Sequence, residues 1–236
     1  AGYDYCLFKV GRFALPGGSS HRKRSVSLKG GALITDRESL ENYPWPDPDM
    51  GEYEELDHLS RCLPEGMKII VWAPGGVLEN AVRIVGYENL CIMSMTDPEL
   101  TGRIFNEIGS RLVSYYTRCL EYPGVGGVIG NDDWGFKTQT MFEPDLLRSC
   151  VFPWHAKIVA EAHRTGRVAI LHSCGNLEAV YDDVIDTIGY DAKHSFEQGI
   201  MPVEQFYASY HHRIGVLGGV DMDFLCRAQP EQVRDK

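Results

Sequence analysis

Long apolar runs are missing from this chain. No stretch approaches the 18 or more consecutive apolar residues of a membrane span, and the first residues lack the charged-then-apolar order of a secretory leader. The expectation is a non-secreted, cytoplasmic protein with no membrane partner. Positive charge is also scarce: 23 Lys and Arg stand against 33 Asp and Glu, a formal net charge of -10, and the pI is near 5.3. The one basic cluster, His21-Arg22-Lys23-Arg24, sits among glycine and serine and reads as a solvated loop, so nucleic acid is not an expected partner. Cysteine is present without pattern. Seven of them, at positions 6, 62, 91, 119, 150, 174 and 226, form no small-domain spacing, and an odd count fits reduced thiols in a cytosol better than a disulfide framework. There is no internal repeat.

What is there is ordinary globular sequence, 236 residues at 44% hydrophobic, long enough to bury a sizeable core. Short β-like runs alternate with longer helical ones, the signal of a parallel sheet with crossover helices. The candidate strands are 5–10, 68–72, 127–130, 168–171, 192–196 and 214–217; the candidate helices are 78–85, 98–122 (one helix or two), 144–165, 177–188 and 203–210. Small or polar residues follow nearly every strand, from Ala73-Pro74-Gly75-Gly76 to Gly218-Gly219-Val220-Asp221. A doubly wound sheet needs only one or two such loops, whereas a (β/α)8 TIM-type barrel gathers its site from all of them, so the barrel is the expected fold. Residues of about 16–60, rich in proline and acidic side chains, read as a loop excursion on that barrel, a lid among its possible uses. Six visible strands are too few to close it, so the chain is expected to lack some terminal elements.

The densest chemistry lies in Ala169-Ile170-Leu171-His172-Ser173-Cys174-Gly175-Asn176. Residues i and i+2 of a strand point the same way, so His172 and Cys174 can converge on one ion where Gly175 lets the backbone turn. One nitrogen and one sulfur suit zinc; the plainer alternative is a core histidine beside a buried free thiol. Asp132 and Asp133 follow a strand, and alternation implies that one of them faces the barrel mouth as proton donor, acceptor or anchor. Asp221 is a third candidate catalytic carboxylate. Trp134, Glu79 and His194 are candidate substrate contacts, although Glu79 reads equally well as helix surface and His194 more simply as a structural hydrogen-bonding group.

Five segments, Leu40-Glu41-Asn42-Tyr43-Pro44-Trp45-Pro46-Asp47, Gly75-Gly76-Val77-Leu78-Glu79, Asn131-Asp132-Asp133-Trp134-Gly135, Leu171-His172-Ser173-Cys174-Gly175-Asn176 and Leu217-Gly218-Gly219-Val220-Asp221, occur in order along nearly the whole chain. Together they resemble the uroporphyrinogen decarboxylase superfamily, which also holds zinc methyltransferases acting with corrinoid proteins or coenzyme M. The resemblance implies one barrel domain over residues 1–236. The methyltransferase branch carries His-x-Cys as zinc ligands, and the arginine-rich N-terminal signature of the decarboxylases has no counterpart in residues 1–30. The chain is also similar to cobalamin-independent methionine synthase, a related barrel that adds a glutamate about two dozen residues on and a distant cysteine. That likeness implies Glu197, 25 positions after His172, as third ligand. The expected function is a zinc-dependent methyltransferase working on a small methylated donor or acceptor, with a corrinoid on a separate protein and a homodimer as a candidate assembly. The alternatives are a metal-free carboxy-lyase of the uroporphyrinogen decarboxylase type and a non-catalytic barrel that binds a partner.

Overall fold

The computed structural model describes residues 4–17, 32–220 and 222–235. Asp221 and the His21–Arg24 cluster therefore lie outside the described residues. Six parallel strands lie side by side in chain order: β1 (Tyr5–Phe8), β2 (Lys68–Trp72), β3 (Val125–Asn131), β4 (Val168–His172), β5 (Ala192–His194) and β6 (Gly215–Leu217). Sequential, all-parallel order with a crossover after each strand is the wall of a (β/α) barrel, here open between β1 and β6 among the described residues. The strand sequences suit it. In β2 the run Ile69-Ile70-Val71 is buried throughout, as a parallel strand covered on both faces requires.

Among the described residues the α-helices are α1 (Arg37–Asn42), α2 (Glu54–Cys62), α3 (Val77–Val85), α4 (Tyr87–Thr96), α5 (Pro98–Leu120), α6 (Pro144–Leu146), α7 (Phe152–Arg164), α8 (Val203–Tyr210), α9 (Met222–Arg227) and α10 (Pro230–Asp235). In α3, Val77, Leu78, Ala81, Ile84 and Val85 are buried at helical spacing. Residues 98–120 form one helix of 23 residues, opened by the Asp97 carboxylate accepting the Leu100 N–H and by Pro98 in the first turn. The described part of the excursion carries α1 and α2 and is packed down: Leu40, Tyr43, Tyr53 and Leu56 join the core.

The expected single helix over 144–165 is interrupted. A π-helical turn, Leu147–Val151, separates α6 from α7. Pro153 explains it: without an N–H it cannot donate to the preceding turn, and its ring crowds that turn's carbonyl, so the upstream hydrogen bonds shift by one residue.

Candidate metal centre

A row of side chains crosses the C-terminal edge of the sheet. Register pairs Asn131 with His172, His172 with His194, and His194 with Leu217, and register partners share a face. On β4 the alternation continues into the loop: Ala169, Leu171 and Ser173 are buried, whereas Ile170, His172 and Cys174 are half-buried on the opposite, concave side.

Two backbones meet here. Gly135 N–H donates to the Cys174 carbonyl at 3.2 Å, and Asn176 N–H to the Phe136 carbonyl at 2.7 Å. A Cβ on Gly175, whose φ is +83°, would stand 2.1 Å from the Gly135 carbonyl oxygen, so only glycine permits the approach. The loop after β3 is thereby fastened to the loop after β4. Its residue Asp133 reaches the strand-end pair.

Ligand atoms of Asp133, His172 and Cys174 all lie within 4.8 Å of one another. Cys174 Sγ is 3.8 Å from His172 Nε2, close to the roughly 3.6 Å between a sulfur and a nitrogen held by one tetrahedral zinc. Asp133 Oδ1 also accepts the Cys174 N–H at 2.7 Å, which fixes the carboxylate beside the thiol. One nitrogen, one sulfur and one carboxylate are a donor set suited to zinc, and the residues fit that ion.

His172 Nδ1 is 2.7 Å from His194 Nδ1, and the two rings stack at 5.0 Å. The tautomer that leaves His172 Nε2 free as a ligand puts its proton on Nδ1, donated to His194; an orienting partner of this kind is usual for a metal-bound imidazole. Burial holds both imidazoles below their ordinary range, with His172 adding to the effect on His194, which favours their neutral forms. Burial pushes the Cys174 thiol up, against the Ser195 hydroxyl 3.2 Å away. A metal ion would have to displace that proton.

Glu197 stands outside the group of three. Its Oε1 accepts the Gly175 N–H at 3.0 Å, so the carboxylate braces the turn after Cys174. Asp132 takes the other side of the sheet from Asp133. Fully buried, it accepts N–H groups of Leu78 and Glu79 at 2.9 Å each and pairs with His155 Nε2 at 3.0 Å, with Tyr190 OH 2.6 Å beyond on His155 Nδ1. It caps and anchors α3. Trp134, expected at the substrate, is wholly buried against Phe152 and edge-on to His155, both 4.9 Å between centroids. The alternation that sends Asp133 to the cup returns the next side chain to the core.

Glu79 is not free helix surface either. Its Oε2 accepts from Gly76 N–H at 3.1 Å and from Asn131 Nδ2 at 3.2 Å, beside the row that holds His172. Burial first, then the neighbouring Asp132, pushes its carboxyl from the ordinary 4.5 up to about 7. The fold therefore binds a proton that the unfolded chain has released between those values, and stability falls as pH rises through that window. Glu79→Gln is expected to remove a decline on the order of 2 kcal/mol. Urea midpoints measured from pH 4.5 to 7.5 test this; parallel curves for the two proteins would refute it.

Two residues here had gone unremarked in the sequence, Ser195 and Lys193. Ser195 has φ +78°, a left-handed conformation uncommon outside glycine. Lys193 is buried beneath it.

A barrel wall whose donors gather at the strand C-termini defines the TIM-barrel class of α/β proteins, with its site where that class places it. Residues 33–236 match the uroporphyrinogen decarboxylase (URO-D) family, and the chain belongs to it. No curated protein matches by sequence. Among solved structures, a methyltransferase from Methanosarcina mazei is similar in fold, with a TM-score of 0.65 and 18% identity; the match covers 80% of this chain and 55% of that one. The chain thus spans little more than half the length of that protein. No helix among the described residues is long and apolar enough to cross a membrane.

Proposed function

We propose that this chain is the catalytic barrel of a zinc-dependent methyltransferase that moves a methyl group between a small methylated substrate and a corrinoid protein or a thiol. The observation that carries the reading is the convergence of Asp133, His172 and Cys174 donor atoms within 4.8 Å. A zinc ion held there supplies a Lewis-acid position that keeps a thiol as thiolate or polarises a methylated heteroatom. His172 would contribute Nε2, with its Nδ1 proton donated to His194; Cys174 would contribute Sγ and Asp133 a carboxylate oxygen. Asn131 and Glu79 lie beside them, and Glu79 holds a proton near neutral pH for a heteroatom that leaves as an anion. The corrinoid would arrive on a separate protein. The decarboxylase alternative needs cations to hold several carboxylates, and the row Asn131, His172, His194, Leu217 offers none near neutral pH.

The test is metal content by elemental analysis of the protein, with two variants that separate the candidate third ligands. About one zinc per chain is expected in wild type and in Glu197→Gln, and at least tenfold weaker zinc binding in Asp133→Asn. Loss in Glu197→Gln with retention in Asp133→Asn would restore the glutamate as the ligand. A wild-type protein that takes up no zinc when offered it would sink the reading altogether.

A further inference from the structure

Lys193 is 2% exposed, and among the described residues its Nζ has no carboxylate partner. It donates to the Ser173 carbonyl at 3.3 Å and to the Ser195 carbonyl, and it lies 4.3 Å above the centroid of Phe196. A cation removed from water and given only two carbonyls and a ring is a poor device for stability, because an apolar side chain of the same volume would pack there without the desolvation cost. Burial accordingly pulls its pKa from 10.5 down to about 8, with Cys174, Glu197 and Asp133 acting in the opposite direction.

Its two carbonyl partners suggest what it is for. Ser173 immediately precedes Cys174, and Ser195 is the residue held at φ +78° whose hydroxyl sits 3.2 Å from Cys174 Sγ. Strained non-glycine backbone persists only where its surroundings force it, and such residues cluster at working sites. From below, the Lys193 ammonium grips both strand-end loops. From above, Glu197 ties the second loop to Gly175.

We infer that Lys193 is a positioning residue: its buried ammonium clamps the Ser173 and Ser195 carbonyls so that Cys174 and Ser195 are held in the arrangement the metal donors need. The function of the clamp rests on the zinc reading above, while the clamp itself is a property of the metal-free chain. Removing it should loosen the cup and leave the rest of the barrel intact. That pattern is the reverse of what a merely structural lysine would give.

Lys193→Met keeps the length and removes the charge. The expected result is a protein at least as resistant to urea as wild type, in which the Cys174 and Gly175 amides exchange hydrogen at least about tenfold faster while those of α5 are unchanged, and in which zinc binds about 10- to 100-fold more weakly. Lys193→Gln, which retains an N–H donor without charge, should fall between the two and serves if the methionine variant does not fold. Unchanged exchange at Cys174 and Gly175 would overturn the clamp. So would faster exchange spread evenly over the barrel together with a lower urea midpoint. Zinc binding by wild type is read separately: its absence would remove the zinc reading and leave the exchange result to decide the clamp.

Discussion

A Cys174→Ser protein is expected to purify without zinc and to lose methyl transfer by about 10³-fold or more, equivalent to roughly 4 kcal/mol of barrier. The reason is chemical and not steric. Serine fits the space, but its hydroxyl does not ionise near neutral pH, so the cup would keep one nitrogen and one carboxylate and lose the anionic sulfur that suits zinc. The fold should be indifferent, since Cys174 is half-buried at a strand end and makes no part of the apolar core. With seven cysteines in the chain, a thiol titration cannot isolate this one. Cobalt substitution can: wild type should show a sulfur-to-cobalt charge-transfer band that Cys174→Ser lacks. A variant that keeps one zinc per chain and full activity would remove Cys174 from the site.

Asp132→Ala should be the most destabilising single polar replacement, costing about 3–5 kcal/mol. The carboxylate is 0% exposed and satisfies the first-turn N–H groups of Leu78 and Glu79 together with His155 Nε2. Truncation strands three buried groups at once and unfastens α3. Asp132→Asn should fall short of that loss but not abolish it, because an amide turns a donor toward groups that already donate. Asp133→Ala, one residue along, should cost under about 1 kcal/mol while abolishing metal binding. Urea unfolding of the three proteins decides it. A loss below about 1 kcal/mol in Asp132→Ala would mean that α3 is held by its apolar face alone.

Most of the wall was legible in the sequence because its strands are apolar runs closed by glycine and acidic residues; all six appear where the pattern put them, within two residues at the N-terminal end of each. The long helix α5 announced itself through Thr96-Asp97-Pro98-Glu99. Helix α4 did not, because Ile92 and Met95 are exposed, at 61% and 86%, so its apolar residues trace no single face. Helix α1 is only six residues, held by the reciprocal Asp36–Ser39 cap more than by any apolar stripe.

At the site, the His172–Cys174 pair could be read from alternation alone, whereas the approach of Asp133 to that pair could not. Spacing along the chain pointed to Glu197, but what brings Asp133 within reach is the backbone contact between Gly135 and Gly175, a tertiary event with no local pattern. Lys193 was hidden for a related reason. A lysine in a short strand ordinarily reaches solvent, and nothing nearby in sequence signals that its ammonium will be folded under the next loop.

The pleat at Asp132-Asp133 separates two duties across one peptide bond. One carboxylate is committed to the barrel's own integrity, and its neighbour projects into the cup with no obligation to the core. Position 133 is therefore a place where a side chain can be exchanged at little expense to folding, and on the zinc reading proposed above a different donor there would retune metal preference on an unchanged scaffold. Position 132 has no such latitude. A single dipeptide thus holds one carboxylate that the fold cannot spare and one that it can.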